Sequence, residues 1–167
     1  ILSDFDVSFK NPSSLADLSR TNFNFFLFDI RENQALRNSD TGIAQYLKNG
    51  SQLKCEYEAI PPQIKVACSY LVTIWPKGIG DLTLNEQVLL GQLFRLIAEF
   101  PSIPEKYLIG RLLEDKNIPL PVLELTQEIG PKNRYDFWNL MKIDLRPSFV
   151  LTATVSIPLE YHRQATL

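Results

Sequence analysis

The chain is poor in the side chains on which most small-enzyme chemistry rests, with one His and two Cys among 167 residues. His162 lies in the polar C-terminal stretch, away from either cysteine. A catalytic triad or a zinc site would therefore have to be built without its commonest base or ligand. Cys55 and Cys68 stand far outside the close pairing of metal knuckles, and two cysteines do not make the disulfide framework of a small secreted domain. A reducing compartment during folding is expected, with Cys68 a buried structural thiol on the apolar side of a strand. Glycine is scarce as well, 7 in all. Gly78-Ile79-Gly80 precedes a helix-forming stretch, yet the third glycine of a dinucleotide fingerprint is missing and no Gly-Lys-Ser/Thr follows. The segment reads as a strand-to-helix loop. The acidic pairs Asp4 with Asp6 and Glu114 with Asp115 have no metal-ligand pattern around them and read as solvated surface.

Charge of one sign is absent too. Seventeen basic against 19 acidic side chains give a net charge of −2, which lacks the basic excess that neutralises a run of phosphates. No nucleic-acid partner is expected. The apolar runs around Phe23 to Ile30 and Leu71 to Trp75 fall short of the roughly 18–20 residues that span a bilayer. Neither a transmembrane helix nor direct membrane insertion is expected. The opening residues lack a charged stretch followed by an apolar one, so no signal peptide is read, and a start on Ile1 rather than Met points to a trimmed N-terminus.

What is present is core material. Hydrophobic residues make up 45% of the chain and aromatics 11%, with 10 Phe, enough to close one domain over residues 1–167. Strand patterns occur at both ends and helical ones in the second half, which predicts an α+β fold, a mixed central sheet flanked by helices. A first strand is expected from Asp6 to Lys10, ended by Asn11-Pro12. Asn22 to Ile30 carries apolar residues at both parities and reads as a central strand covered on both faces. The polar stretch from Arg31 to Pro62 lacks periodicity, and its Asn49-Gly50 pair marks a hairpin arm. From Ile64 to Ile74 the period is two, a strong strand signal. Thr83 and Glu86 have the spacing of a capping box ahead of Leu89, Leu93 and Phe100, which predicts a helix stopped by Pro101.

A second short helix is expected from Pro104 through Leu113, an extended run from Ile118 to Leu125, and a helical turn around Trp138 and Met141. Phe149 to Ile157 alternates again, and its second face is mostly hydroxylic, turned to water or to a polar partner. The mixed charges of Asp29, Arg31 and Glu32, directly after a very hydrophobic run, fit either a strand end reaching solvent or an ion-pair cluster at an interface. Arg146, just ahead of the last strand, poses the same choice.

Three blocks in order carry a family resemblance. They are Phe26 to Asn33 with Leu36-Arg37, Ser69 to Trp75, and Leu145-Arg146-Pro147-Ser148 followed by a strand ending Val155-Ser156-Ile157-Pro158-Leu159. Together with Val7-Ser8-Phe9, Pro12 and Leu89-Leu90-Gly91, they resemble a bacterial family, formerly of unknown function, that includes the cap or tail-terminator proteins of phage-tail-like contractile injection systems. The resemblance covers nearly the whole chain. Its members usually begin with a helix ahead of the Val-Ser-Phe strand, which fits the expectation of a missing N-terminus.

The resemblance implies a phage tail-terminator-like fold and a structural role. The expected assembly is a homohexameric ring made in the bacterial cytoplasm and built into a particle, where it ends the inner tube and sheath and stabilises the extended state. It implies sheath and inner-tube proteins as partners, no cofactor, no metal and no catalytic residue. Arg31, Glu32, Asn33, Arg37 and Arg146 are the candidate contacts with neighbouring subunits or sheath. Two other classes remain open on the residues alone, a small α/β enzyme whose acids converge only on folding, and a monomeric adaptor.

Overall fold

The computed structural model describes residues 5–15, 18–33, 46–49, 52–55, 63–116, 118–126, 138–139 and 141–158. Seven strands are described: β1 (Phe5–Ser8), β2 (Thr21–Glu32), β3 (Tyr46–Asn49), β4 (Gln52–Cys55), β5 (Gln63–Trp75), β6 (Val122–Thr126) and β7 (Ser148–Pro158). Two helices join them, α1 (Leu82–Glu99) and the single turn α2 (Arg111–Glu114). The main sheet has the order β1-β2-β5-β7-β6, and β3-β4 form a separate two-stranded sheet. β1 runs parallel to β2 and every other pairing is antiparallel. This is the mixed α+β arrangement that the patterns predict.

The central strand is β5, not β2. Thirteen residues of period two let β5 pair with β2 on one side and β7 on the other. Leu71, Val72, Thr73 and Ile74 are fully buried there, so both faces are covered at that end. Trp138, on the helical turn expected near it, packs on Leu71 with Phe26, Phe28, Met141 and Ile143 around it. On the opposite face Phe94 of α1 meets Phe149 edge to face, ring centroids 5.3 Å apart.

The expectation of double cover along β2 holds only at its start. Thr21 on one face and Asn22 and Asn24 on the other are buried, but Ile30 is 61% exposed. The expected first strand also ends early, because the chain leaves the ladder after Ser8. Buried Asn24 then stands in for a strand: its Oδ1 accepts from Ser8 Oγ at 2.7 Å and from the Lys10 amide at 3.1 Å, and its Nδ2 donates to the Lys10 carbonyl at 3.0 Å.

The helices depart from expectation in their chemistry. The cap of α1 is Asp81, whose carboxylate accepts from the Leu84 amide at 3.0 Å, so the Thr83/Glu86 capping box does not form. The predicted second helix breaks into a 3-10 turn at Glu105–Tyr107 and α2, parted by Gly110 at φ 59°, a conformation that costs glycine least. Between β5 and α1, Thr21 Oγ1 accepts from the Lys77 amide at 2.9 Å and donates to the Lys77 carbonyl at 3.2 Å. Ile79 beyond that clamp is fully exposed. Asn49 faces Gln52 in the β3-β4 ladder, so part of the expected arm is a hairpin.

Candidate interaction surface

The sheet narrows toward one end. β1 pairs only with Thr21 to Asn24 of β2, and β6 only with Val150 to Thr154 of β7. Beyond those points three strands continue, β2 to Glu32, β5 back to Gln63 and β7 to Pro158, as a tongue with no described strand on either side. At the broad end the outer side of β6 is closed by the chain after α1. There the Leu123 amide donates to the Pro101 carbonyl at 2.8 Å and the Ile103 amide to the Pro121 carbonyl at 3.0 Å.

A bulge sorts the side chains of the tongue. The β2/β5 register shifts between Leu27 and Asp29, which makes Phe28 the inserted residue of a bulge. After that slip Asp29 faces Ser69 and Arg31 faces Ala67, while Ile30 faces Cys68. Without it every side chain from Asp29 onward would point to the opposite face. The bulge thus puts Asp29 and Arg31 on the polar face and leaves Ile30, and Glu32 opposite Val66, on the face that carries Ile64, Val155 and Ile157.

The polar face is closed. Gln63, Lys65, Thr152, Thr154 and Ser156 are buried, and Lys65 Nζ donates to Ser156 Oγ at 2.8 Å. The hydroxyls of β7 therefore meet their polar partner inside the fold, not water, at the price of one buried hydroxyl, Thr154 Oγ1, without a hydrogen bond. The apolar face is open. Leu27 is 37%, Ile30 61% and Ile157 48% exposed. Cys68 lies on this face as expected but is only half-buried, and burial pushes the pKa of its thiol above the ordinary value. Burial, then the nearby Cys68 thiolate, pushes the pKa of the Tyr70 hydroxyl up as well.

Of the residues singled out from sequence, Arg31 and Glu32 are exposed and Asn33 is half-buried at the tongue's tip. Arg31 Nε meets Asp29 Oδ2 at 2.6 Å, with 67% of the arginine side chain exposed. The Asn33 amide donates to the Lys65 carbonyl at 2.7 Å, which extends the ladder by one rung. Arg37 lies outside the described residues.

Arg146 stands at the other end of the sheet. Its Nε and Nη2 each donate to one oxygen of Glu86 at 3.0 Å, and its guanidinium lies 4.0 Å over the Trp75 ring. Glu86 is only 7% exposed at its side chain. Two contributors were missed in the sequence, Glu86 and Trp75. An acid on the inward side of an apolar helix was the available signal for Glu86, and it was spent on the capping box.

An open cavity of about 760 Å3 adjoins this clamp, lined by Trp75, Glu86, Lys142, Asp144, Leu145 and Arg146 among others. The buried carboxylate among its described lining residues, Glu86, is held by Arg146. Among the described residues no group of three or more His, Cys, Asp or Glu is placed to hold a metal. None of their helices is long and apolar enough to cross a membrane.

Residues 1–164 match the family model of the Pvc16 N-terminal domain. The chain belongs to that family. No curated protein matches it significantly. Among solved structures it is similar to the sheath/tube terminator, in the extended state, of an extracellular contractile injection system, PVC. The TM-score is 0.59 and the identity 18%, over 97% of this chain and 52% of that one. It is also similar to the tube-terminating cap of the anti-feeding prophage, with TM-score 0.53 and 19% identity over 94% and 49% of the two chains. The chain thus spans about half the length of these terminators and has their fold over that half.

Proposed function

We propose that this chain is the domain by which a tail terminator, or cap, of a contractile injection system closes the particle. It binds the last layers of inner tube and sheath and works by contact, without turnover. The observation that carries this reading is the shared fold across 97% of the chain with a protein that terminates both sheath and tube. The exposed tongue and the family membership point the same way. A six-fold tube requires a terminator of matching symmetry, so the assembly is a homohexameric ring joined head to tail, one face of each subunit on a different face of the next. Arg31, Glu32, Asn33 and Arg37 line or adjoin its contacts, where mixed charge fixes register. Such a particle takes no nucleic acid as partner and needs no membrane insertion by this chain.

Electron microscopy and native mass spectrometry of the purified protein, alone and with tube and sheath proteins, test the reading. Rings that bind tube or sheath ends support it. A protein that stays monomeric or dimeric at micromolar concentration, with no rings after tube and sheath proteins are added, overturns it. So does a hydrolase or transferase activity that one acid or thiol substitution abolishes.

A further inference from the structure

The outer side of α1 is exposed yet carries little charge. The charged residues of this helix are Glu86, which is buried against Arg146, and Arg95 and Glu99, which pair with each other at 3.0 Å. Leu90, Leu93 and Ile97 share the inward side with Glu86 and are half-buried. Leu84, Val88 and Gly91 recur at spacings of four and three on the opposite side, where Leu84 is 56% and Val88 49% exposed. A solvated helix face is normally polar, whereas an apolar face depleted of charge marks the core of a contact. Gly91 sits in the middle of that side. Glycine is costly in a helix interior, and a methyl placed there would meet nothing within 4 Å, so the fold of one copy does not call for it.

The sheet face on which α1 lies also continues beyond it. Register puts Val7, Leu27, Ile30 and Ile157 on the face that carries Phe149 beneath Phe94, and Phe9 joins them against Phe25, ring centroids 6.0 Å apart. These side chains are between 37% and 68% exposed. Together they present on the order of 500 Å2 of apolar surface, near the top of what the largest patch of a monomer shows.

The geometry points to a second copy of this chain as the occupant: the outer side of α1 in one copy lies on the open part of the sheet face in the next. This deepens the terminator reading and rests on its ring. The helix is then covered by its own sheet on one side and by a neighbour's on the other. Because the two surfaces differ, the contact is head to tail and repeats until the rotation closes. A helix about 27 Å long laid on the patch buries a similar area on each partner, which brings the total to roughly the 1,000 Å2 of a specific interface. Gly91 lets the helix backbone approach the neighbour's strands, and the scarcity of charge spares the contact an unpaired buried ion.

Gly91→Ala tests the contact, because stability and assembly should move in opposite directions. Removing glycine from the helix interior should raise the monomer's melting temperature by a few degrees. The added methyl should hold the neighbour off and weaken ring assembly about tenfold, read by native mass spectrometry. Val88→Lys should weaken assembly at least as much with an unchanged melting temperature. In a Cys55→Ser, Cys68→Ala background, a Val88→Cys copy mixed with an Ile30→Cys or a Leu27→Cys copy should be joined by a short bis-maleimide. None of the three should be joined to itself.

Rings that form as well with Gly91→Ala and Val88→Lys as with the parent overturn this contact and leave the terminator reading standing. So do rings in which neither mixed pair is joined. A lower melting temperature for Gly91→Ala assigns that glycine to the fold and overturns its part in the contact. Val88→Cys copies that join each other overturn it in favour of like helices pairing. A protein that stays monomeric with tube and sheath proteins present overturns both readings.

Discussion

Arg146 and Glu86, 60 positions apart in sequence, close a two-bonded ion pair that ties the entry of the last strand to the first turns of α1. Each bond is 3.0 Å long, and the Trp75 ring backs the guanidinium. The carboxylate is nearly buried while the arginine keeps a quarter of its side chain in solvent.

Removing the arginine leaves that carboxylate without its partner. Arg146→Ala is expected to lower unfolding free energy by about 3 kcal/mol. Arg146→Lys should recover little, since lysine has neither the planar fork nor the flat stack on Trp75. Glu86→Gln with Arg146→Met should recover most of the loss, because the buried charge is then gone. Urea denaturation of the four proteins measures all of this, and equal stability of Arg146→Ala and the parent would show the pair to be idle.

Arg31 should behave in the opposite way. Its bond to Asp29 is solvent-exposed and contributes at most about 1 kcal/mol. Arg31→Ala should leave the monomer's melting temperature nearly unchanged and weaken ring assembly, read by native mass spectrometry. A large loss of monomer stability with intact rings would assign Arg31 to the fold.

Asn24 is wholly buried and holds both Ser8 and Lys10. Asn24→Ala should cost about 2 kcal/mol through the unpaired amide and carbonyl of Lys10. Amide exchange should locate the damage, with protection lost at Phe5 to Ser8 and kept in β5 and β7.

Cys68 provides a pH test. Burial raises its thiol above the ordinary value, so the folded chain keeps the proton to higher pH than the unfolded chain does. This contribution to stability is complete below the unfolded value, near 9.0, and is lost as pH rises through the folded one. In a Cys55→Ser background, iodoacetamide should therefore modify Cys68 more slowly at pH 8 in the native protein than in urea. Equal rates would mean that the thiol is not desolvated.

Much of the sheet was legible in the sequence because a strand pattern is local. Ile64 to Ile74 and Phe149 to Ile157 alternate without a break, and the strands they predict are found within one or two residues. Asn49-Gly50 marked its hairpin for the same reason. The order of strands was not legible, since β1 pairs parallel with β2 and the centre falls to β5 by contacts between distant segments. Glu86 shows the same limit at one residue: its spacing from Thr83 fits a cap, while its partner lies beyond the reach of any local pattern.

By itself the sequence determined the α+β class, the long strands, the main helix and the family resemblance. Each is written in the period of side chains along the chain or in short ordered motifs. The tertiary structure alone decided the order in which the strands pair, that a bulge at Phe28 turns Ile30 away from Asp29 and Arg31, and that Arg146 faces inward to Glu86. The reason is physical. Alternation states that a strand has two faces, but only its neighbours decide which face is covered, and one inserted residue exchanges the two.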